Sequence, residues 1–199
     1  MLLLNIVPVE SSSFGAALSL PGGVGFVAFA GDLNQDGFVD LIVGNNNGRD
    51  QILLNNGGGS FLDKDVIELS SSLSFLTAVV AVGDLNNNDL LDIISCGNRG
   101  CEIFMNNGNL RGNLSFSPTT LSNWGSAAIG LGDVNGDGFV DIIIGSSDSA
   151  FAGVNKVSKD NVLFINQNGT FSDDNSFVLP GFNEDKSSIA LADFNGDNR

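Results

Sequence analysis

The apolar residues of this chain fall in short runs of roughly four to eight, separated by clusters of Asn, Gly, Asp and Ser. Runs of that length, rich in Val, Ile, Leu and Phe and bounded by turn residues, predict β-strands joined by tight connections. The runs also return in a fixed order. An Ala- and Gly-containing run comes first (Phe26 to Ala30, Ala78 to Val82, Ala127 to Leu131, Ile189 to Ala192), then an acidic string, then a β-branched run (Val39 to Val43, Leu90 to Ser95, Val140 to Ile144). A polar turn leads to a third run (Gln51 to Asn55, Glu102 to Asn106, Val162 to Asn166). An Asn/Gly turn then leads to Phe61, Phe116 or Phe171, each expected to open a fourth strand and to fill space between neighbouring units. The small residues of the first run suit an innermost strand, where units converge and large side chains would collide.

The acidic strings make the repeat explicit: GDLNQDGFVDLIVG from Gly31, GDLNNNDLLDIISC from Gly83, GDVNGDGFVDIIIG from Gly132 and ADFNGDN from Ala192. Their leading aspartates, at 32, 84, 133 and 193, recur every 50 to 60 residues or so, about the length of a four-stranded propeller blade. The predicted fold is therefore all-β, a partial β-propeller of three complete four-stranded blades (23–72, 73–121, 122–181) with two partial ones (1–22, 182–199). Leu2-Leu3-Leu4-Asn5 resembles the third strand of the repeat, and Phe14 with Leu20-Pro21-Gly22 resembles Phe171 with Leu179-Pro180-Gly181. The register thus opens within a blade. Because an unclosed propeller exposes apolar faces and strand edges, a fragment of a longer protein, or an incomplete gene product, is expected.

Within each string, oxygen-bearing side chains stand at alternate positions. Positions 1, 3, 5 and 9 are Asp32, Asn34, Asp36 and Asp40 in the first loop and Asp133, Asn135, Asp137 and Asp141 in the third. Calcium takes six to eight oxygens, and alternate positions on a tightly turned loop direct theirs to one centre. Gly37 and Gly138, at position 6, permit the sharp turn that brings in the carbonyls of Phe38 and Phe139 at position 7. Such a hard donor set favours Ca2+ over thiophilic metals. The second loop, Asp84, Asn86, Asn88, Leu90 and Asp92, has Asn at position 5 and Asp89 in place of Gly, so it should bind most weakly. Asp193, Asn195 and Asp197 form an incomplete fourth shell. An EF-hand needs Glu at position 12 and flanking helices; here position 12 is Val43, Ser95 or Ile144 and the flanks are β-type. The plainer alternative is a set of metal-free Asx hairpin turns.

Charge sharpens that choice. The net charge is −15, and of 23 acidic residues 11 lie in the four strings, leaving 12 nearly balanced by eight Lys and Arg. Most of the excess negative charge sits where a cation would neutralise it, and crowded carboxylates otherwise raise one another's pKa. The acidity and the scattered basic residues argue against a nucleic-acid partner. The complete lack of His removes His-based triads, His-ligated zinc and His proton transfer. No apolar run is long enough for a membrane helix, and Met1 to Pro8 lacks the features of a signal peptide. Cys96 and Cys101 flank the turn Gly97 to Gly100 and could join across a hairpin. Asn113-Leu114-Ser115 and Asn168-Gly169-Thr170 match the N-glycosylation acceptor pattern.

The strings and their spacing resemble the FG-GAP or VCBS repeat, best known from the propellers of integrin α subunits. That resemblance implies calcium loops between the first and second strands of each blade and a partner-binding opposite face. The face would carry Asn45 to Asp50, Gly97 to Gly100, Ser146 to Asp160, Phe75 and Trp124, with Arg49, Arg99, Lys156 and Lys159 on its loops. Packing under a loop is the plainer role for the two aromatics, and ordinary solvated turns for the basic loops. Family membership does not decide the job; the first expectation is a non-catalytic, calcium-binding adhesion or ligand-binding module with a protein or glycan ligand, extracellular or at the cell surface, where millimolar calcium fills such loops. The rival is the propeller region of a secreted polysaccharide-active enzyme.

Overall fold

The computed structural model describes residues 25–45, 48–57, 61, 66–71, 76–110, 113–122, 125–146, 161–180 and 188–192. Among them, three four-stranded antiparallel meanders form. The first is β1 (Gly25–Gly31), β2 (Asp40–Asn45), β3 (Gln51–Leu53) and β4 (Val66–Glu68). The second is β5 (Thr77–Gly83), β6 (Asp92–Gly97), β7 (Gly100–Leu110) and β8 (Asn113–Ser122), and the third is β9 (Ser126–Gly132), β10 (Asp141–Ser146), β11 (Asn161–Phe164) and β12 (Ser176–Leu179). In every sheet consecutive strands pair in sequence order, as short connections between antiparallel strands dictate. These are the blades of the partial propeller that the repeat predicts. No helix of the described residues is long and apolar enough to cross a membrane.

Strand alternation sends successive side chains to opposite faces of a sheet, and the blades use both faces. Ile93 and Phe104 of the second blade join Leu33, Ile42, Ile52 and Leu69 of the first in one buried cluster. Their chain neighbours Ile94 and Ile103 turn the other way and join Ile142, Ile144, Val162 and Phe164 of the third. Each core therefore lies between blades. The inner strands β1, β5 and β9 lie side by side. A Cβ on Gly130 would come within 2.5 Å of Ile189 Cγ2 and 2.7 Å of Leu191 Cδ1, so the small residues expected on the innermost strand are required by close approach.

Several boundaries differ from the sequence reading. Ile189 to Ala192 lies against β9 but forms no strand, because it has no antiparallel partner among the described residues. Phe116 sits within β8 and packs into the core between the first two blades. Phe61 and Phe171 instead precede their fourth strands, and a one-turn 3-10 helix, Asp173–Asn175, separates Phe171 from β12. Phe171 still packs against the core between the second and third blades. The Asn/Gly turn expected after Asn106 is absorbed into β7 as a bulge between Asn106 and Asn109, with Gly108 at φ 78. That lengthens the β7–β8 hairpin. Cys96 and Cys101 face each other across β6 and β7 and are bonded, buried in the core. The partial blade assigned to 1–22 lies outside the described residues, and of the one assigned to 182–199 only 188–192 are described.

Candidate metal-binding loops

Each acidic loop is held at its ends by a strand pair. Gly31 pairs with Asp40, Gly83 with Asp92 and Gly132 with Asp141, so position 9 is the first residue of the second strand. Between these anchors the side chains at positions 1, 3 and 5 accept from backbone N–H groups ahead of them. Asp32 Oδ1 accepts from Asp36 N–H at 3.2 Å and its Oδ2 from Gly37 N–H at 2.9 Å. Asn34 Oδ1 accepts from Asp36 N–H at 3.1 Å, and Asp36 Oδ1 from Phe38 N–H at 2.9 Å. The third loop repeats the set: Asp133 accepts from Gly136, Asp137 and Gly138, Asn135 from Asp137, and Asp137 from Phe139. The second loop keeps it despite its changed residues, with Asp84 accepting from Asn86, Asn88 and Asp89, Asn86 from Asn88, and Asn88 from Leu90. Short polar side chains bonding two residues onward make Asx turns, and a run of them gives all three loops one shape.

That shape demands left-handed backbone twice per loop. Position 6 has φ 88 at Gly37 and 87 at Gly138, as the sequence predicts, and φ 65 at Asp89. Position 4 is left-handed too, at Gln35 (φ 58), Asn87 (φ 57) and Gly136 (φ 79), a requirement the sequence reading missed. A side chain in this region costs about 1 kcal/mol. Asp89→Gly should therefore raise the unfolding free energy by about 1 kcal/mol, measured by urea denaturation in chelator.

Position 9 differs from the rest. Asp40 and Asp92 are fully buried and Asp141 nearly so. Asp92 Oδ2 accepts from Leu85 N–H at 2.8 Å and its Oδ1 from Asn106 N–H at 2.7 Å. Asp40 does the same for Leu33 and Asn55, and Asp141 for Val134 and Asn166. The carboxylate thus ties the loop to the third strand of its blade or to the chain just beyond it, a structural role beyond the ligand role read from spacing. Burial pushes all three carboxyls above the ordinary carboxylate value, against the pull of these N–H donors, and charge at Asp36 and Asp32, at Asp84, or at Asp137 and Asp133 adds to the rise. Asp133 shifts the other way, held down first by the Gly138 N–H and then by its other backbone donors.

The donor set is all oxygen. Asn34 and Asn135 Nδ2 donate to Asp36 and Asp137 Oδ2, each at 2.9 Å, so a side-chain amide faces the position 5 carboxylate. Among the described residues no three His, Cys, Asp or Glu side chains are gathered as a metal-holding group. Asp193, Asn195 and Asp197 lie outside the described residues. On the opposite side, Arg49 and Arg99 are exposed, and Arg49 forms an exposed ion pair with Glu68 at 3.7 Å. Phe75, Trp124, Lys156 and Lys159 lie outside the described residues. Of the glycosylation candidates, Asn168 is exposed in the tight turn bridged by Gln167 and Thr170, and Asn113 begins β8.

Asp50, which the resemblance put on the partner-binding face with Asn45, is one place where the structure corrects the sequence reading. It is buried at the junction of the first two blades, where its carboxylate accepts from Asn45 N–H and from the hydroxyls of Thr77 and Ser95. Residues 27 and 45 positions away complete this site, and no local pattern signals it.

The profile of the FG-GAP-like repeat matches residues 32–95 and 84–144. No curated protein matches the chain. Among solved structures, an Agrocybe aegerita lectin, described for its specific recognition of non-reducing terminal N-acetylglucosamine, matches 79% of this chain at 23% identity with a TM-score of 0.50. The match covers 39% of the lectin chain, so the sequence spans about two fifths of that length.

Proposed function

The chain belongs to the FG-GAP-like repeat family, and from that premise we propose that it is a non-catalytic, ligand-binding propeller module whose acidic loops hold calcium. The observation that carries the reading is the same loop, with oxygens at positions 1, 3, 5 and 9, built three times on the same strand pair. The residues fit the ion: every side-chain donor is a hard oxygen, and the carboxyls of Asp40 and Asp141, raised first by burial, are raised a little further by the charge of their loop partners. The first loop would use Asp32, Asn34, Asp36, Asp40 and the Phe38 carbonyl, and the third Asp133, Asn135, Asp137, Asp141 and the Phe139 carbonyl. Bound calcium supplies a divalent charge that stiffens the hairpins and, with them, the opposite loops that would meet a ligand.

Millimolar calcium outside cells suits loops of this kind, and the buried Cys96–Cys101 bond suits an oxidising compartment, so an extracellular or cell-surface location belongs to the proposal. A glycan is the first ligand class to test, in keeping with the fold shared with a lectin; an adhesion role with a protein ligand is the other. Calcium calorimetry tests the metal reading. Wild type should show two stronger sites and one weaker, and Asp36→Ala or Asp137→Ala should each remove one strong site with little change of stability in chelator, since both side chains are exposed. Each filled site should stabilise the fold by about 2.7 kcal/mol at a hundredfold excess over Kd. Unchanged stoichiometry in both variants would refute the ligand assignment.

A further inference from the structure

Two contacts recur at both described junctions between blades, and both end on the acidic loops. At position 4, Gln35 Nε2 donates to the Asp89 carbonyl of the next loop at 2.6 Å, and Asn87 Nδ2 donates to the Gly138 carbonyl at 3.0 Å. Both acceptors are position 6. In the reverse direction, Asn106 Nδ2 donates to the Leu33 carbonyl of the preceding loop at 2.9 Å, and Asn166 Nδ2 to the Leu85 carbonyl at 2.7 Å. Both of these acceptors are position 2. Asn106 and Asn166 are also the residues whose backbone N–H groups bond the position 9 carboxylates of their own blades. Each loop is thereby joined to its neighbour through its own peptide groups.

Position 4 lies between two expected cation donors, at 3 and 5, and position 6 immediately precedes the expected carbonyl donor at 7. Gln35 and Asn87 hold left-handed backbone that Gly136 adopts without a side chain in the third loop. Left-handed geometry disfavours a side chain at this position, yet in both loops the amide reaches the neighbouring loop.

We propose that the loops take up calcium as a coupled set, with Gln35 and Asn87 as positioning residues that pass order from one loop to the next. This rests on the reading that the loops hold calcium. When an ion fixes the peptides around position 6 of one loop, it fixes the acceptor for the preceding loop's amide, and with it the backbone between that loop's donors. The second ion then meets a loop with less freedom left to lose, which is positive cooperativity, and the coupling is reciprocal.

Calcium calorimetry on the full chain tests this in two backgrounds, wild type and Gln35→Gly with Asn87→Gly, since glycine keeps the left-handed backbone and removes only the amides. Into each, Asp137→Asn is introduced to weaken the third loop while preserving an acceptor for its turn. In wild type this change should weaken the middle site, which fills last, about fivefold; in the double-glycine background the effect should shrink to about twofold or less. Equal effects in the two backgrounds, or none in wild type, would overturn the coupling while leaving calcium binding intact. A flat wild-type isotherm would instead remove the calcium reading beneath it. Hydrogen exchange in chelator gives a metal-free readout: the Asp89 and Gly138 amides should exchange faster in the double-glycine protein, and unchanged exchange counts against the proposal.

Discussion

Asp92→Ala should lower the unfolding free energy by about 3 to 5 kcal/mol, and should do so in chelator as fully as in calcium. The side chain is wholly buried and accepts two backbone N–H groups, from Leu85 and Asn106. Hydrogen bonds to a charged acceptor contribute about 1.5 to 3 kcal/mol each, and alanine leaves both donors buried without a partner. The damage extends past one blade, since Asn106 also holds the Leu33 carbonyl of the preceding loop. Asp92→Asn should fall between wild type and alanine: it retains one acceptor and removes a charge that burial already disfavours. Asn88→Ala, at an exposed position of the same loop, should cost about 1 kcal/mol or less. Urea denaturation followed by circular dichroism measures all three. If Asp92→Ala in chelator were as mild as Asn88→Ala, position 9 would be a ligand and nothing more.

Asp50→Ala should cost about 3 kcal/mol by the same reasoning, at the junction of the first two blades. Its carboxylate joins the first blade to Thr77 and Ser95 of the second, and alanine would leave two hydroxyls and the Asn45 N–H facing a void. Asp50→Asn should recover part of the loss. The corresponding residue of the second blade is Cys101, bonded to Cys96 within an apolar junction. One junction is thus closed by a buried carboxylate, the other by sulfur and hydrocarbon. Thermal unfolding of the alanine and asparagine variants, at fixed calcium, separates loss of the acceptor from loss of the charge.

The blade count, the strand order and the position of the acidic loops were legible because they depend on residues close together in sequence. Period-two packing set the strands, and the Asp-Asn-Asp-Gly spacing set the turns at Gly37 and Gly138. What escaped depended on neighbouring blades. Glutamine at position 4 carries no left-handed signal, so Gln35 showed its role only where its amide met Asp89. The Asn106-Asn107-Gly108 signal was real but ambiguous, since the same residues serve a turn or a bulge, and here the long pairing of β7 with β8 selects the bulge. Phe171 was misplaced because aromatic character fits inter-blade packing just outside a strand as well as within one.

The division of Ile93 and Ile94 between two different cores bears on how such a chain can change in length. Because a sheet owns half of each adjoining core and the whole of neither, a cut through one repeat strips apolar surface from both flanking repeats. Adding or removing an entire repeat restores a junction of the same kind, and therefore propellers of this construction can grow or shrink by complete units without inventing a new interior.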